Sequence, residues 1–206
     1  LASNENPYPP SPKVLKAIQT AARDLNRYPD GNCYDLRQQL AKNLKVHLGQ
    51  LIFGNGSDEI IVLAVRGFVN EGDEVIMAAP SFLVYEIASR IAGAVIKAIP
   101  LRGDFSYDLS CMRASVSEKT KVIFLGNPDN PSGKYFTQRQ MEDFLEGLPS
   151  SVLVLIDEAY YEYVNAQDYV RSVELLKRYK NILITRTFSK IYGLAGLRIG
   201  YGLGDE

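Results

Sequence analysis

The sequence predicts an α/β protein: a mostly parallel seven-stranded sheet with helices on both faces and one antiparallel strand. Short runs rich in Val, Ile and Phe recur at Leu51–Phe53, Glu74–Ala79, Ala94–Pro100, Lys121–Gly126, Val152–Asp157, Asn181–Thr187 and Leu197–Leu203. Between them lie segments with helical spacing, at Asp58–Val69, Phe82–Ala92, Thr137–Leu148 and Val170–Lys180. Strands that alternate with helices imply a parallel sheet covered on both sides. The last pair is the exception, because only Lys190 to Gly196 separates those runs and a parallel crossover needs about a dozen residues or more. That pair is expected to be antiparallel.

Ahead of the sheet, residues 1–12 hold four prolines and read as an extended arm outside the core. Lys13 to Leu25 has a helical apolar pattern through Val14, Ala17, Ile18 and Ala21, which Arg27-Tyr28-Pro29-Asp30-Gly31 breaks with a turn. Tyr34 to Leu48 is a second amphipathic helix, with Leu36, Leu40 and Leu44 spaced by four. There is no internal repeat and no low-complexity linker. The chain starts on Leu1 and ends on Glu206 directly after a strand-like run, so it reads as part of a longer protein.

Composition narrows the function. With 206 residues, 46% hydrophobic and 23% charged, the chain can bury one large core or two small ones. A net charge of −1, with no block of basic residues, argues against a general nucleic-acid binder and leaves room for a local phosphate pocket. Cys33 and Cys111 are too few for a disulfide scaffold, and no Cys/His cluster has metal-ligand spacing. A reducing, cytoplasmic compartment is expected. The single histidine, His47, sits near a predicted helix end, where a solvated or capping role is expected. No apolar stretch approaches the ~18 residues of a membrane span, and no signal peptide is visible.

In open α/β sheets ligands sit at the carboxyl ends of the strands, so the segments just after each run carry the chemistry. Gly54-Asn55-Gly56-Ser57-Asp58-Glu59 leads from the first run into a helix. Its glycines allow close backbone approach, and the helix start can hold a phosphate; alternatively Ser57 or Asp58 simply caps the helix. It is a poor dinucleotide fingerprint, because Glu59 stands where the third glycine would fall, and no Gly-Lys-Ser/Thr ending marks a nucleotide loop. Phe82 can cover the face of a planar cofactor or belong to the core. Asn130 lies in Asn127-Pro128-Asp129-Asn130-Pro131, where its amide can serve a ligand or only a turn.

Asp157 closes the run Val152-Leu153-Val154-Leu155-Ile156. A carboxylate after five aliphatic residues is expected to be buried, and it then needs a cation or hydrogen-bond donors. A protonated ring nitrogen would serve, as would an internal salt bridge or a helix cap. Tyr160 adds a phenol to the same place. Lys190, in Thr187-Phe188-Ser189-Lys190 with Arg198 eight residues on, is either an exposed lysine at a strand end or an amine that forms an imine beside a bound phosphate.

Together and in this order these segments resemble the fold-type-I aminotransferases that use pyridoxal 5′-phosphate, in particular the family that acts on histidinol phosphate. The resemblance runs from Asn4-Glu5-Asn6-Pro7-Tyr8 to Gly200. It implies a three-layer α/β/α large domain. Residues 1–30 would form an arm and helix and residues 31–206 an incomplete cofactor-binding domain, with a smaller C-terminal domain lying outside the chain. By resemblance Lys190 makes the imine with the cofactor and later moves a proton between Cα and C4′. Asp157 pairs with the pyridine nitrogen, and Tyr160 and Asn130 hydrogen-bond the 3′-oxygen. Asn130 also meets the substrate. Phe82 stacks on the ring, at a position where the family more often has Tyr. Ser57, Asp58, Thr187, Ser189 and Arg198 hold the phosphate.

The resemblance further implies a homodimer with shared active sites, in which Tyr28 reaches the neighbour's cofactor and Tyr8 its substrate. The reaction it implies is amino transfer between L-histidinol phosphate and 2-oxoglutarate in histidine biosynthesis. That preference rests on Asp157-Glu158-Ala159-Tyr160-Tyr161-Glu162-Tyr163 and the N-terminal arm. The rivals are an aromatic amino acid aminotransferase or a threonine-phosphate decarboxylase of the same fold, a non-catalytic regulator with an aminotransferase-like domain, and a dinucleotide-dependent oxidoreductase. The family's arginines for the substrate phosphate lie in the C-terminal domain that this chain lacks.

Overall fold

The computed structural model describes residues 4–206; the first three residues of the expected arm, 1–3, lie outside the described residues. The strands are β1 (Leu51–Asn55), β2 (Glu74–Ala79), β3 (Val95–Pro100), β4 (Thr120–Gly126), β5 (Leu153–Asp157), β6 (Ile182–Thr187) and β7 (Ile199–Leu203). They form one seven-stranded sheet in the order β1-β7-β6-β5-β4-β2-β3. The neighbours from β6 to β3 pair in parallel, while β7 runs antiparallel to both β6 and β1. The short connection before β7 therefore has the consequence expected of it: the strand turns back and wedges between the first strand and the sixth.

Successive side chains of a strand point to opposite faces, and here that alternation builds two cores. Ile76 and Ala78 of β2, Ile123 and Leu125 of β4, and Val154 and Ile156 of β5 face one core. Helices α2 (Tyr34–Leu44), α5 (Leu109–Ala114), α6 (Gln138–Glu146) and α7 (Ser172–Leu175) cover that side through Ala41, Met112, Met141, Phe144 and Leu175. Val75, Met77, Val122, Phe124, Leu153 and Leu155 face the other core, under α3 (Ser57–Phe68) and α4 (Leu83–Ile91). The result is three layers, and β5 in the middle is buried along its whole length.

Four elements differ from expectation. The helix expected to reach Leu48 stops at Leu44, where Lys45 takes a left-handed conformation (φ 56°) and returns its N–H to the Ala41 carbonyl. His47 then caps a short 3₁₀ turn, Leu48–Gln50, and donates its N–H to the Gln50 side chain at 3.0 Å. The helix expected over Val170–Lys180 shrinks to α7, and its start is held out by a bridge between Tyr169 and Thr137. There Gln138 donates to Asp168 O at 3.1 Å and Val170 to Phe136 O at 3.3 Å. Helix α5 was not foreseen; it buries only Met112, so six residues show no period, although Asp108 caps it by accepting from the Cys111 N–H.

Helix α1 (Pro12–Ala21) is capped by Ser11, which accepts from Val14 N, and it buries none of its residues. The expected helix continues beyond it only as the 3₁₀ turn Ala22–Asp24. No helix among the described residues is long and apolar enough to cross a membrane.

Candidate functional site

The carboxyl ends of β2, β4, β5 and β6 and the start of α3 surround a cavity of about 540 Å³. Ten of the residues singled out in the sequence line it: Ser57, Asp58, Phe82, Asn130, Asp157, Tyr160, Thr187, Ser189, Lys190 and Arg198. Two do not. Tyr8 and Tyr28 lie outside it, and both are highly exposed, Tyr28 fully so.

One end of the cavity is formed by the start of α3. Gly56, at φ 81°, is the N-cap of α3, and no side chain caps the helix. The capping reading of the loop does not hold, since neither Ser57 nor Asp58 caps the first turn; Glu59 instead holds Asn55, accepting from its N–H and Nδ2 at 2.7 and 2.9 Å. The glycines are needed for space. A Cβ on Gly56 would lie 2.5 Å from Arg198 Nη2, and one on Gly200 would lie 2.3 Å from Ser57 N.

Arg198 sits over this helix start with its backbone in the left-handed region, φ 53°, which few residues other than glycine adopt. Its Nη1 donates to Ala195 O at 3.1 Å, while its contacts to the helix start and to Ser189 are longer: Nη2 to Asp58 Oδ2 and to Asn55 O, both 3.4 Å, and Nη1 to Ser189 Oγ at 3.4 Å. Ser57, Thr187 and Ser189 are buried beside it, and Thr187 Oγ1 accepts the Ser189 N–H at 3.1 Å. A guanidinium, three hydroxyl side chains and an uncapped helix start converge here. Those are the groups that bind phosphate.

At the other end, the register pairs Asp157 with Thr185 across β5 and β6. Asp157 points toward the α3/α4 layer and is only 5% exposed. Its Oδ2 accepts from the Tyr85 hydroxyl at 2.8 Å and its Oδ1 from the Thr185 hydroxyl at 2.9 Å. No salt bridge among the described residues includes it. Burial raises its proton affinity above the ordinary carboxyl value; the Tyr85 and Thr185 hydroxyls pull it back, and the charge of Asp58 adds to the rise. The internal salt bridge considered for this residue belongs to its neighbour. Glu158 faces the opposite core, where Arg186 Nη2 lies 2.7 Å from Oε2 and both side chains are buried.

Lys190 lines the same cavity. Its Nζ is 3.2 Å from the Asn4 carbonyl and 5.5 Å from the centroid of the Tyr160 ring. The arm packs against this loop: Asn6 Nδ2 donates to the carbonyls of Lys190 and Ile191 at 3.1 Å each. Asn4 Nδ2 reaches Tyr160 Oη at 3.1 Å and Asn130 Oδ1 at 3.4 Å, which brings those two groups to one point. The turn around Asn130 owes its shape to Asp129, whose carboxylate accepts from Tyr107, from Ser132 Oγ and from Ser132 N. Asn130 is thus left to the cavity. Phe82 packs its ring at 82° to that of Tyr85 (centroids 5.5 Å apart) and also lines the cavity.

Tyr85, Thr185 and Asn4 were missed in the sequence. Thr185 was legible in principle, because the alternation that turns Thr187 to the cavity turns Thr185 the same way. Tyr85 lies one helical turn after Phe82, a weak signal that an apolar helix hides. Asn4 had none, since nothing local says where an arm folds back.

A family model described as Aminotransferase class I and II matches residues 1–206. The chain belongs to that family. Among curated relatives of this class I and II aminotransferase chain, the histidinol-phosphate aminotransferase of Bacillus subtilis (strain 168) is 48% identical over 206 residues, covering 100% of this chain and 57% of that protein. The same-named protein of Anaeromyxobacter sp. (strain Fw109-5) is 46% identical over 203 residues, or 98% of this chain and 56% of that one. A solved structure, histidinol-phosphate aminotransferase from Sinorhizobium meliloti in complex with pyridoxal-5′-phosphate, superposes with a TM-score of 0.93 at 34% identity, covering 98% of this chain and 55% of that one. The chain spans a little over half the length of these relatives.

Proposed function

We propose that this chain is the cofactor-binding part of a pyridoxal 5′-phosphate-dependent aminotransferase that moves an amino group between L-histidinol phosphate and 2-oxoglutarate. The observation that carries the cofactor reading is Asp157: a buried carboxylate, met by the neutral hydroxyls of Tyr85 and Thr185 and by no cation among the described residues, in one cavity with a lysine amine and a phosphate-type cradle. A carboxylate can accept about four hydrogen bonds, so the two hydroxyls leave capacity for a cationic ring N–H, and the residues fit the cofactor. The choice of histidinol phosphate is supported by the names of the curated relatives. The two rivals within the fold share the same lysine, aspartate and tyrosine and draw no comparable support.

When bound, the cofactor supplies an aldehyde that takes up an amino group and a ring that accepts the electron pair released at the substrate carbon. The protein's residues do the rest. Lys190 Nζ holds the cofactor covalently between turnovers and carries the proton taken from the substrate's Cα. Asp157 keeps the ring nitrogen protonated. Tyr160 and Asn130, joined through Asn4, address the ring oxygen and the substrate, and Phe82 closes one face. The helix start at Ser57 and Asp58, with Thr187, Ser189 and Arg198, anchors the phosphate.

Residues 31–206 are read as the large domain and residues 1–30 as an arm and helix, in keeping with the absence of buried residues from α1. A smaller C-terminal domain that selects the amine would account for the extra length of the relatives. Exposed Tyr8 and Tyr28 suit a homodimer in which each reaches the partner's cavity. A cytoplasmic, biosynthetic role follows from the same reading.

The direct test is borohydride reduction of the protein loaded with pyridoxal phosphate, followed by peptide mass spectrometry. A reduced cofactor adduct on Lys190 is expected; its absence after reconstitution would refute the catalytic reading. Arg198→Ala should weaken cofactor binding roughly 10- to 100-fold, the usual cost of a hydrogen-bonded charge partner. Fluorescence titration measures this, and an unchanged affinity would remove Arg198 from the phosphate site.

A further inference from the structure

We propose that Tyr85 is a positioning residue for this site, one side chain that fixes both the carboxylate and the aromatic ring between which the cofactor's ring is held. The proposal rests on the cofactor reading above and goes beyond it, because Tyr85 belongs to none of the expected phosphate, lysine or ring-oxygen contacts.

The geometry is specific. Tyr85 is 1% exposed and lies in the first turn of α4, three residues after Phe82. Its ring stacks on Phe124 of β4, with centroids 4.7 Å apart and planes 8° from parallel. Phe82 meets the same ring edge-on at 82°. Its hydroxyl donates to Asp157 Oδ2 at 2.8 Å, and Ser89 Oγ donates to its carbonyl at 2.7 Å. Stacked and edge-to-face aromatic contacts are directional, so Phe124 sets the plane of Tyr85. Tyr85 in turn sets the angle of Phe82 and the position of one oxygen of Asp157.

A phenol buried in this way stays a donor. Burial and then the charge of Asp157 push its pKa well above the ordinary tyrosine value, and Tyr107 and Asp129 act in the same direction. Toward Asp157 the hydroxyl favours the ionised carboxylate, as does Thr185 from β6, against burial and the charge of Asp58 from α3. Without the Tyr85 hydroxyl, Asp157 should bind its proton more tightly and be ionised only at higher pH. A merely structural tyrosine would not move that titration.

The test is Tyr85→Phe, which keeps both ring contacts and removes only the hydroxyl. In the apoprotein, the carboxyl ¹³C titration of Asp157 should move up by about one pH unit or more, a tenfold change in proton affinity. The affinity for pyridoxal phosphate should fall about tenfold near neutral pH and recover in part as pH rises. In an Asp157→Asn background the same substitution should change cofactor affinity by less than about twofold, because the two residues act as one unit. An unmoved titration, or an equal loss of affinity with and without Asp157, would overturn the proposal.

Should Tyr85→Phe fail to fold, 3-fluorotyrosine in the wild-type chain gives the same answer. The ¹⁹F resonance of position 85 should shift with the titration of Asp157 and lose that step in Asp157→Asn; a step that persists would overturn the proposal. The two readings fail separately. If the wild-type protein forms no reducible adduct on Lys190, the cofactor reading falls and this role with it. If the adduct forms and the titration does not move, only Tyr85 is misassigned.

Discussion

Lys190→Ala should abolish transamination, by at least about 10⁴-fold, while the protein still binds pyridoxal phosphate without a covalent link. The size follows from what one amine is asked to do. It is the group that attaches the cofactor and the group that carries the proton, and positioned acid–base catalysis alone contributes about 10²–10⁴-fold. The fold should be largely kept, because Lys190 lines the cavity, outside both hydrophobic cores. Steady-state rates, cofactor titration and thermal melting on the same preparation check all three parts. Ordinary turnover in the variant would refute the assignment. A variant that folds yet binds no cofactor would show the phosphate cradle to be weaker than its geometry implies.

The sheet was legible because its signals are periodic. β2 is found at its expected bounds, and the other strands begin or end within two residues of theirs, since buried runs of Val and Ile in parallel strands show plainly against amphipathic helices. The reversal of β7 was legible from chain length alone. What failed was set by contacts distant in sequence: Val170 and Arg171 are held out of their helix by the bridge between Tyr169 and Thr137. The site divides in the same way. Asp157 and Lys190 are marked by what precedes them in the chain. Tyr85 and Asn4 are marked only by what they touch, 72 and 156 residues away at Asp157 and Tyr160, and a single sequence does not carry that information.

The sharpest consequence of the alternation concerns two adjacent carboxylates, for which opposite results are expected. Asp157→Asn should lower transamination by several orders of magnitude with no loss of fold, because an amide cannot supply the charge that keeps a ring nitrogen protonated. It should even spare the protein a cost. The folded-state pKa of Asp157 lies above its ordinary value of 3.8, so its contribution to stability is fully present below the unfolded-state pKa and is lost as pH rises through the folded one. Near neutral pH the asparagine variant should therefore melt at or above the wild-type temperature.

Glu158→Gln should do the reverse. Glu158 accepts from Arg186 Nε at 2.8 Å, from Tyr169 at 3.1 Å and from Ser172, and its charge offsets that of a guanidinium only 3% exposed. Burial alone would lower the Arg186 pKa, and the Glu158 charge is what holds it above the ordinary arginine value, so neutralising Glu158 leaves the guanidinium in the core without the charge that stabilises it. Breaking one side of such a buried pair costs about 3–5 kcal/mol, against a total stability of about 5–15 kcal/mol for a domain. Chemical denaturation with and without cofactor, alongside single-turnover rates normalised to folded protein, separates the two variants. If Glu158→Gln were stable and inactive, or Asp157→Asn unstable and active, the faces of β5 would have been assigned the wrong way round.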